Sequence, residues 1–245
     1  MHLDGSHRRG FFVTLEGPEG SGKSTQAQRL ATRLAAAGYD CIVTREPGGT
    51  PLGEDVRRIL LRDNSPTPAA DALLFNAARA QLAAEVIEPA LARGEVVICD
   101  RFADSTLAYQ GYGAGQPLDA LGELTRFAVG DLTPDMTVLI DLPIEDGLSR
   151  KLGGTEMTRF ESDADVPFHR RVRDGFLALA AAEPDRFLVV DGHQSADSIE
   201  AAIVEALLPR LGSRNELRRE STNQGAHRSN TRRSEPERAS LRMDK

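Results

Sequence analysis

Short apolar runs alternate along the chain with longer stretches in which apolar residues recur at helical spacing. A strand covered on both faces of a sheet carries apolar side chains at successive positions, so each run predicts a buried strand. The five predicted strands are FFVTLEG (11–17), CIVT (41–44), EVVICD (95–100), TVLIDLP (137–143) and RFLVVDG (186–192). Strands of this composition are typical of a parallel sheet between two layers of helices.

The stretches between the runs predict helices. The first extends from Ser24 to Ala37 and is ended by Gly38, a residue that readily adopts the backbone conformation needed there. Further helices are predicted over residues 52–61, 69–91 and 199–211. The glycine-rich segment GYGAGQP (111–117) is predicted to be a flexible loop. Strands that alternate with helices predict an α/β fold with a parallel sheet.

The two ends of the chain differ from its middle. Residues 1–10 are predicted to be a short polar extension, and the apolar pattern of a folded domain occupies 11–212. Residues 213–245 hold nine basic and five acidic residues and almost no apolar ones, which predicts a disordered basic tail. The N-terminus lacks the apolar region of a signal peptide, and no apolar stretch approaches the ~20 residues of a membrane span. We therefore expect a cytoplasmic protein without a membrane partner.

Composition and charge narrow the classes of partner. A length of 245 residues suits one α/β domain, and a net charge of −7 with 5% aromatic residues argues against a nucleic-acid partner. The two cysteines, Cys41 and Cys99, both fall in predicted buried strands. They are predicted to be reduced core thiols rather than a disulfide. The five histidines show no zinc-ligand spacing.

A phosphate-binding motif stands between the first strand and the first helix. The segment GPEGSGKS, from Gly17 to Ser24, matches G-x-x-x-x-G-K-[ST]. In such a loop successive backbone N–H groups surround phosphates, Lys23 adds a point charge, and the Ser24 hydroxyl can bind Mg²⁺. The predicted nucleotide-binding residues are Gly17, Pro18, Glu19, Gly20, Ser21, Gly22, Lys23, Ser24 and Thr25. The motif predicts a nucleoside triphosphate but says little about the acceptor.

A second pair of charged residues, Asp100 and Arg101, follows the strand EVVIC. A carboxylate at the carboxyl end of a buried parallel strand faces the ligand crevice, where Asp100 could hold Mg²⁺ through water. Arg101 could bind phosphate in a bidentate manner. A purely structural salt bridge at the end of the strand is the alternative interpretation.

Four segments together resemble the bacterial thymidylate kinase family. They are FFVTLEGPEGSGKST, TREPGGTPLGEDVRRILL, ALLFNAARAQL and VVICDRFADSTLAYQG, and the resemblance runs in order from about residue 11 to 210. It implies a five-stranded parallel sheet flanked by helices, of the P-loop nucleoside-monophosphate kinase type. It also implies transfer of the γ-phosphate of ATP to dTMP with Mg²⁺, giving dTDP and ADP for dTTP synthesis, by a homodimer.

The resemblance implies roles for residues around the acceptor. Phe75 would stack on thymine, and Arg79, one helical turn further on, would hydrogen-bond the base. Arg101 would bind the phosphates, Tyr109 would lie under the sugar, and Glu19 would lie near that sugar and the metal. The remaining residues expected around the base are Ser105, Thr106 and Gln110. Without the resemblance, Phe75 and Tyr109 would be interpreted as core residues.

The resemblance also implies a lid at about residues 149–162 and a cis peptide bond between Glu46 and Pro47. Transfer of a phosphoryl group needs a cation on the transferred group. Some relatives carry an arginine where this chain has Ser21, and others carry arginines in the lid. Here the lid cations are Arg150, Lys151 and Arg159, of which Arg159 belongs to the motif Arg-Phe-Glu at its end. Arg150 is the first choice for the catalytic cation, beside Lys23, Arg101 and Glu19, and Arg159 is the second.

Two other functions stay open at this point. A kinase for a different nucleoside monophosphate could share this fold, and a panel of acceptors would distinguish it. A nucleotide-binding module with weak catalysis is also compatible with the pattern, because a fold by itself does not define an activity. Formation of ADP that depends on dTMP would separate an enzyme from such a module.

Overall fold

A single parallel sheet organises the computed structural model, which describes residues 10–61, 66–151 and 166–212. The strands are β1 (Phe11–Glu16), β2 (Cys41–Arg45), β3 (Val96–Asp100), β4 (Met136–Asp141) and β5 (Phe187–Asp191). They lie in the order β2-β3-β1-β4-β5, and every pair of neighbours is parallel. The prediction of a five-stranded parallel sheet is confirmed.

Helices connect the strands. They are α1 (Lys23–Ala36), α2 (Pro51–Leu60), α3 (Pro68–Leu82), α4 (Glu88–Arg93), α5 (Ala103–Thr106), α6 (Leu118–Val129), α7 (Ile144–Lys151), α8 (Val166–Ala182) and α9 (196–212). A π-helical segment, Ala83–Ile87, joins α3 to α4, and a second one, Leu107–Gly113, follows α5. No helix in the described ranges is long and apolar enough to cross a membrane.

Threonine caps fix the starts of two of these helices. The Thr50 side chain accepts a hydrogen bond from the Gly53 N–H, and the Thr67 side chain accepts one from the Ala70 N–H. Each cap satisfies a backbone donor that the first helical turn leaves without a partner. Among the described residues, those up to Ala206 form one compact unit, and residues 207–212 are helical. The predicted extension before Gly10 and the predicted tail over 213–245 lie outside the described residues.

Strand β1 occupies the middle of the sheet, between β3 and β4. Its residues Phe12, Val13 and Leu15 expose 0% of their surface, because helices cover both faces. The register aligns Leu15 with Asp100 of β3, so the carboxyl ends of β1 and β3 lie side by side. The phosphate-binding motif therefore begins next to the Asp-Arg pair, in the crevice where parallel sheets bind ligands.

Several local expectations were wrong. The helix predicted over 69–91 is interrupted by the π-helical turn, and the loop predicted over 111–117 begins inside the second π-helical segment. Cys41 is half-buried rather than buried, because β2 is an edge strand with a neighbour on one side only. Gly10, which the prediction assigned to the extension, is buried and donates its N–H to Leu91 O at 2.8 Å.

Candidate active site

The phosphate-binding loop between β1 and α1 has a backbone that only glycine adopts readily. Gly17, Gly20 and Gly22 have φ angles of 141°, 72° and 95°. Gly22 is the N-cap of α1, and no side chain there accepts from the first helical N–H groups. These donors, with the positive end of the helix dipole, form an environment suited to phosphate.

Lys23 folds back over this loop. Its Nζ donates to Gly17 O at 3.0 Å, to Pro18 O at 2.7 Å and to Ser21 Oγ at 3.3 Å. The side chain is buried, and burial, followed by the positive charge of Arg101, lowers the pKa of Lys23 to about 8. Lys23 therefore holds the loop in the curled form that phosphates need, and its ammonium group lies at the centre of that loop.

The two predicted metal ligands meet at the start of α1. The Ser24 hydroxyl donates to Asp100 Oδ2, which joins the helix to the carboxyl end of β3. A hydroxyl and a carboxylate are hard oxygen ligands, and Mg²⁺ commonly binds proteins through one or two such groups together with substrate phosphates. The residues present therefore fit Mg²⁺. The described part of the chain has no group of three or more His, Cys, Asp or Glu residues that would hold a metal by themselves.

Arg101, Glu19 and Tyr109 form a cluster beside the loop. Arg101 Nη2 lies 2.6 Å from Glu19 Oε1, and the Tyr109 hydroxyl donates to the same oxygen at 2.9 Å. The Arg101 Cζ atom lies 4.9 Å from the centroid of the Tyr109 ring. Arg101 Nη1 also donates to Gly17 O at 3.2 Å. Arg101 thus forms a salt bridge with a residue of the phosphate-binding loop.

A cavity opens next to this cluster and collects every residue predicted for the acceptor. Its lining includes Glu19, Phe75, Arg79, Arg101, Ser105, Thr106, Tyr109 and Gln110. Five further lining residues were not among those predicted to bind the acceptor, namely Glu46, Pro47, Arg57, Leu60 and Leu61. The sequence analysis had singled out Glu46 and Pro47 for the cis bond between them but had not singled out the other three. The cavity thus combines an apolar wall with several charged and polar groups, as a site for a small polar molecule does.

Arg79 enters this cavity wall from α3 and is almost completely enclosed. It donates from Nε to Glu46 Oε2 at 2.8 Å, and from Nη1 to Asn76 Oδ1 at 3.1 Å and Thr106 Oγ1 at 2.8 Å. Its Nη2 donates to Phe102 O at 2.9 Å and lies 2.7 Å from Glu46 Oε2. A guanidinium has five N–H donors, so these acceptors fix its orientation. A base that binds Arg79 would have to share or replace one of these bonds.

Arg57 of α2 is a cation of the cavity that the sequence analysis did not single out. It is half-buried and donates from Nη1 to Pro47 O at 3.1 Å. Burial, followed by the positive charge of Arg45, lowers the pKa of Arg57. The signal that could have found it is its place on the helix that follows EPGG, one turn before Leu60 and Leu61, which line the same cavity. The predicted cis bond between Glu46 and Pro47 is confirmed.

Helix α7 touches the phosphate-binding loop through glycine backbones. A Cβ atom on Gly147 would lie 2.1 Å from Glu19 O, and one on Gly20 would lie 2.0 Å from Gly147 O. Both distances are far below any carbon–oxygen contact, so these two positions accept only glycine without movement of the backbone. The contact places the start of α7 directly against the loop.

Two side chains of α7 also reach the turn after β5. Arg150 Nη2 donates to Gly192 O at 3.1 Å. His193 lies 2.9 Å from Asp146 Oδ2 through Nε2 and 3.0 Å from Asp191 Oδ1 through Nδ1. The structure therefore places the predicted catalytic cation Arg150 at the surface beside this turn, and it does not bring Arg150 into the lining of the acceptor cavity. Arg159, the Lys151 side chain and the lid from residue 152 onward lie outside the described residues.

Comparisons with known proteins show which chains this one is similar to. A profile described as "Thymidylate kinase" matches residues 15–203. The chain is 53% identical over 203 residues to a thymidylate kinase of Deinococcus radiodurans, which covers 82% of this chain and 98% of that protein. It is 51% identical over 204 residues to a thymidylate kinase of Pseudomonas fluorescens, covering 82% and 96%.

A solved structure gives the same result at the level of the fold. The crystal structure of thymidylate kinase from Ehrlichia chaffeensis superimposes with a TM-score of 0.66 at 35% sequence identity. The match covers 81% of this chain and 98% of that one. The likeness therefore extends over nearly the whole of each relative.

Proposed function

This chain belongs to the thymidylate kinase family, and we propose on that premise that it transfers the γ-phosphate of ATP to dTMP, giving ADP and dTDP. As a member of that family it is an enzyme, a phosphotransferase. The observation that carries the proposal is the Arg101–Glu19 pair, which joins the phosphate-binding loop to the acceptor cavity. A donor phosphate and an acceptor phosphate bound on either side of this pair would be neighbours.

The donor nucleotide occupies the loop between β1 and α1. Its phosphates receive backbone N–H groups at the start of α1, where no side chain competes as an acceptor. Lys23 exchanges its present carbonyl partners Gly17 and Pro18 for phosphate oxygens. Its buried position strengthens this interaction, because a charge acts more strongly where water is excluded.

The acceptor nucleotide occupies the cavity. Phe75 supplies a flat apolar surface for the base, and Arg79, fixed by its protein partners, presents a rigid polar edge beside it. Arg101 and Arg57 are the cations of this lining that can bind the monophosphate. Tyr109 packs against Arg101 and limits the space left for the sugar. Roles of this kind fit a deoxynucleoside monophosphate as the substrate.

Catalysis then consists mainly of positioning and charge neutralisation. The phosphate oxygen of dTMP is already a competent nucleophile, so no strong general base is needed. Ser24 and Asp100 are the residues that would hold Mg²⁺, which when bound neutralises phosphate charge. Lys23, Arg101 and a further cation, for which Arg150 remains our first choice, stabilise the charge that spreads over the transferred group.

A coupled assay of ADP formation tests the function. We expect rapid turnover of ATP with dTMP, weaker turnover with dUMP, and little with UMP, CMP, AMP or GMP. Turnover of a different monophosphate in preference to dTMP would replace the proposed acceptor. ATP binding without ADP formation that depends on an acceptor would favour a nucleotide-binding module instead.

We also propose that the protein is a cytoplasmic homodimer. Both cysteines are free thiols, which suits a reducing compartment.

Helices α3 and α6 pack against each other, and each exposes an apolar side chain, Leu73 at 58% and Phe127 at 91%. A second copy would bury such a surface. Light scattering should give a dimer for the wild type and for Gln28→Glu, and a monomer for Phe127→Glu; a monomeric wild type would refute the dimer.

A further inference from the structure

Glu16, the last residue of β1, is buried behind the turn that carries Arg101. It exposes 0% of its surface, although it is a carboxylic acid within a sheet of apolar residues. Buried acids of this kind need hydrogen-bond partners, because burial without them is costly. Since no part of Glu16 is accessible, it can influence a substrate only through the residues that it contacts.

Arg101 has an unusual backbone. Its φ angle is 71°, and it is the one non-glycine residue within the described ranges that has a positive φ. This left-handed conformation is unfavourable for a residue with a Cβ atom, so neighbouring contacts have to maintain it. Arg101 N–H donates to Leu15 O at 3.0 Å, and the Cys99 thiol donates to Arg101 O at 3.0 Å.

The Glu16 carboxylate supplies the other contacts of this turn. Its Oε1 accepts the Phe102 N–H at 2.7 Å, and its Oε2 accepts the Ser105 hydroxyl at 2.6 Å. The Ser105 Oγ in turn accepts from Arg101 Nη1 at 3.3 Å. A single carboxylate therefore fixes both the backbone that follows Arg101 and the hydroxyl that receives the Arg101 guanidinium.

We propose that Glu16 is a positioning residue for the acceptor phosphate, because it holds Arg101 in the turn from which its guanidinium reaches Glu19 and Gly17. The inference rests on the proposed function, in which Arg101 binds that phosphate. Arg101 in an ordinary right-handed conformation would direct its side chain differently. The cavity would then keep its shape but lose the orientation of this cation.

The hydrogen bonds of Glu16 suit an ionised carboxylate. Both of its oxygens accept hydrogen bonds, and the ionised form accepts at both oxygens without a proton of its own. Burial, followed by the negative charge of Asp104, raises the pKa of Glu16 to about 7, while the positive charge of Arg101 opposes that rise. Glu16→Gln replaces one carboxylate oxygen by an NH₂ group. This change keeps the shape of the side chain, removes its charge and turns one acceptor into a donor. This variant therefore tests the hydrogen bonds and the charge of Glu16 without a change in packing.

Titration calorimetry of dTMP with a double-mutant cycle tests the inference. The four proteins are the wild type, Glu16→Gln, Arg101→Ala and the double variant. Loss of one charged hydrogen bond corresponds to a change in affinity on the order of tenfold to a hundredfold. We expect Glu16→Gln to weaken dTMP binding by that factor, to change ATP binding less, and to have no further effect when Arg101 is already alanine.

The outcomes separate positioning from a general role in stability. An equal loss in both backgrounds, or no loss in either, would overturn the inference. Thr14→Val is the matched control, because Thr14 is a buried polar residue of the same strand, is bonded to Thr137 Oγ1 at 2.9 Å, and should leave dTMP affinity unchanged. Glu16→Asp, which keeps the charge but retracts it, serves in the same cycle if the glutamine variant does not fold. A wild type that does not bind dTMP would refute the proposed function instead.

Discussion

Arg79 and Glu46 form a buried ion pair in the wall of the acceptor cavity. Arg79 Nη2 lies 2.7 Å from Glu46 Oε2, and the two side chains expose only 1% and 4% of their surface. Burial, opposed by the charge of Arg79, raises the pKa of Glu46 above its usual value. The pair links the stability of the fold to the cavity, because the Arg79 guanidinium holds Glu46 and also lines the cavity.

Arg79→Ala should therefore reduce both stability and use of the acceptor. Removing one partner leaves Glu46 buried without its cation, which typically costs about 3–5 kcal/mol. Urea denaturation measures that loss, and steady-state kinetics should show a larger effect on the dTMP term than on the ATP term. The matched control is Arg58→Ala, which removes an arginine that pairs with Asp55 at the surface. A kinetic effect confined to ATP would contradict the assignment.

Lys23→Ala should abolish formation of ADP and dTDP while the protein stays folded. Lys23 is the ammonium group at the centre of the phosphate-binding loop, and its three present partners belong to that loop. Circular dichroism and the coupled assay check both parts of this expectation. Gln28→Ala, an exposed change on the same helix, should behave like the wild type. Near-normal turnover of Lys23→Ala would mean that the donor binds elsewhere.

Gly147→Ala should disturb the loop through the backbone of α7. The added Cβ would lie 2.1 Å from Glu19 O, so α7 or the loop has to shift, at a cost of about 1–3 kcal/mol. We expect lower Tm and weaker ATP binding. Gly122→Ala is the control, because that helical glycine of α6 has nothing within 4 Å of the new Cβ and should gain about 0.5–1 kcal/mol. Equal behaviour of the two variants would show that the glycine contact is unimportant.

Arg150→Ala should lower kcat more than it raises either KM. An interaction made mainly in the transition state affects kcat and kcat/KM together when it is removed, and one such arginine can contribute about 10³-fold. Arg150 now bonds to Gly192 O at 3.1 Å, so it has to leave that carbonyl to reach the phosphates. The control is Arg170→Ala, which removes an exposed arginine paired with Glu145. An unchanged kcat would move the role to Lys151 or Arg159.

His193 should make stability depend on pH. Hydrogen bonds to Asp146 and then Asp191 raise the pKa of His193 above its usual 6.5. A raised pKa means that the contribution of the bridge is complete below 6.5 and is lost as the pH rises through the folded-state value. His193→Gln should therefore lower Tm more at about pH 5 than at about pH 9. The partner variant Asp146→Asn should show the same dependence on pH. If the loss of Tm in His193→Gln is the same at both pH values, the ion pairs of His193 do not contribute to stability.

Much of this site could be predicted because its residues occur in recognisable motifs at the ends of apolar strands. Glycine, lysine and serine between an apolar strand and a helix specify a phosphate loop, and Asp100 follows another apolar strand directly. Neighbouring parallel strands then bring these two positions together, as the Ser24–Asp100 hydrogen bond demonstrates. The two motifs were sufficient to identify these residues, whereas the pairing of β1 with β3, which are not consecutive along the chain, comes from the structure.

Other features depend on contacts between distant segments, which a single sequence does not display. A π-helical turn has the same composition as an α-helical one, so the interruption at Ala83–Ile87 has no signal in the apolar spacing. The surface position of Arg150 depends on the carbonyl of Gly192, far along the chain. Glu16 resembles any polar strand end until the left-handed turn at Arg101 is seen beside it.

The contact between Arg101 and Glu19 has a consequence for selectivity. Arg101 has an anionic partner, Glu19, at 2.6 Å, so a phosphate that binds Arg101 competes with that carboxylate. The net affinity for the phosphate is then the difference between two interaction energies, that of Arg101 with the phosphate and that of Arg101 with Glu19. A nucleoside has no phosphate with which to replace Glu19 at Arg101, and inorganic phosphate has no base to contact Phe75. If Arg101 binds the acceptor phosphate as proposed, the site would favour a ligand that supplies the base and the phosphate together.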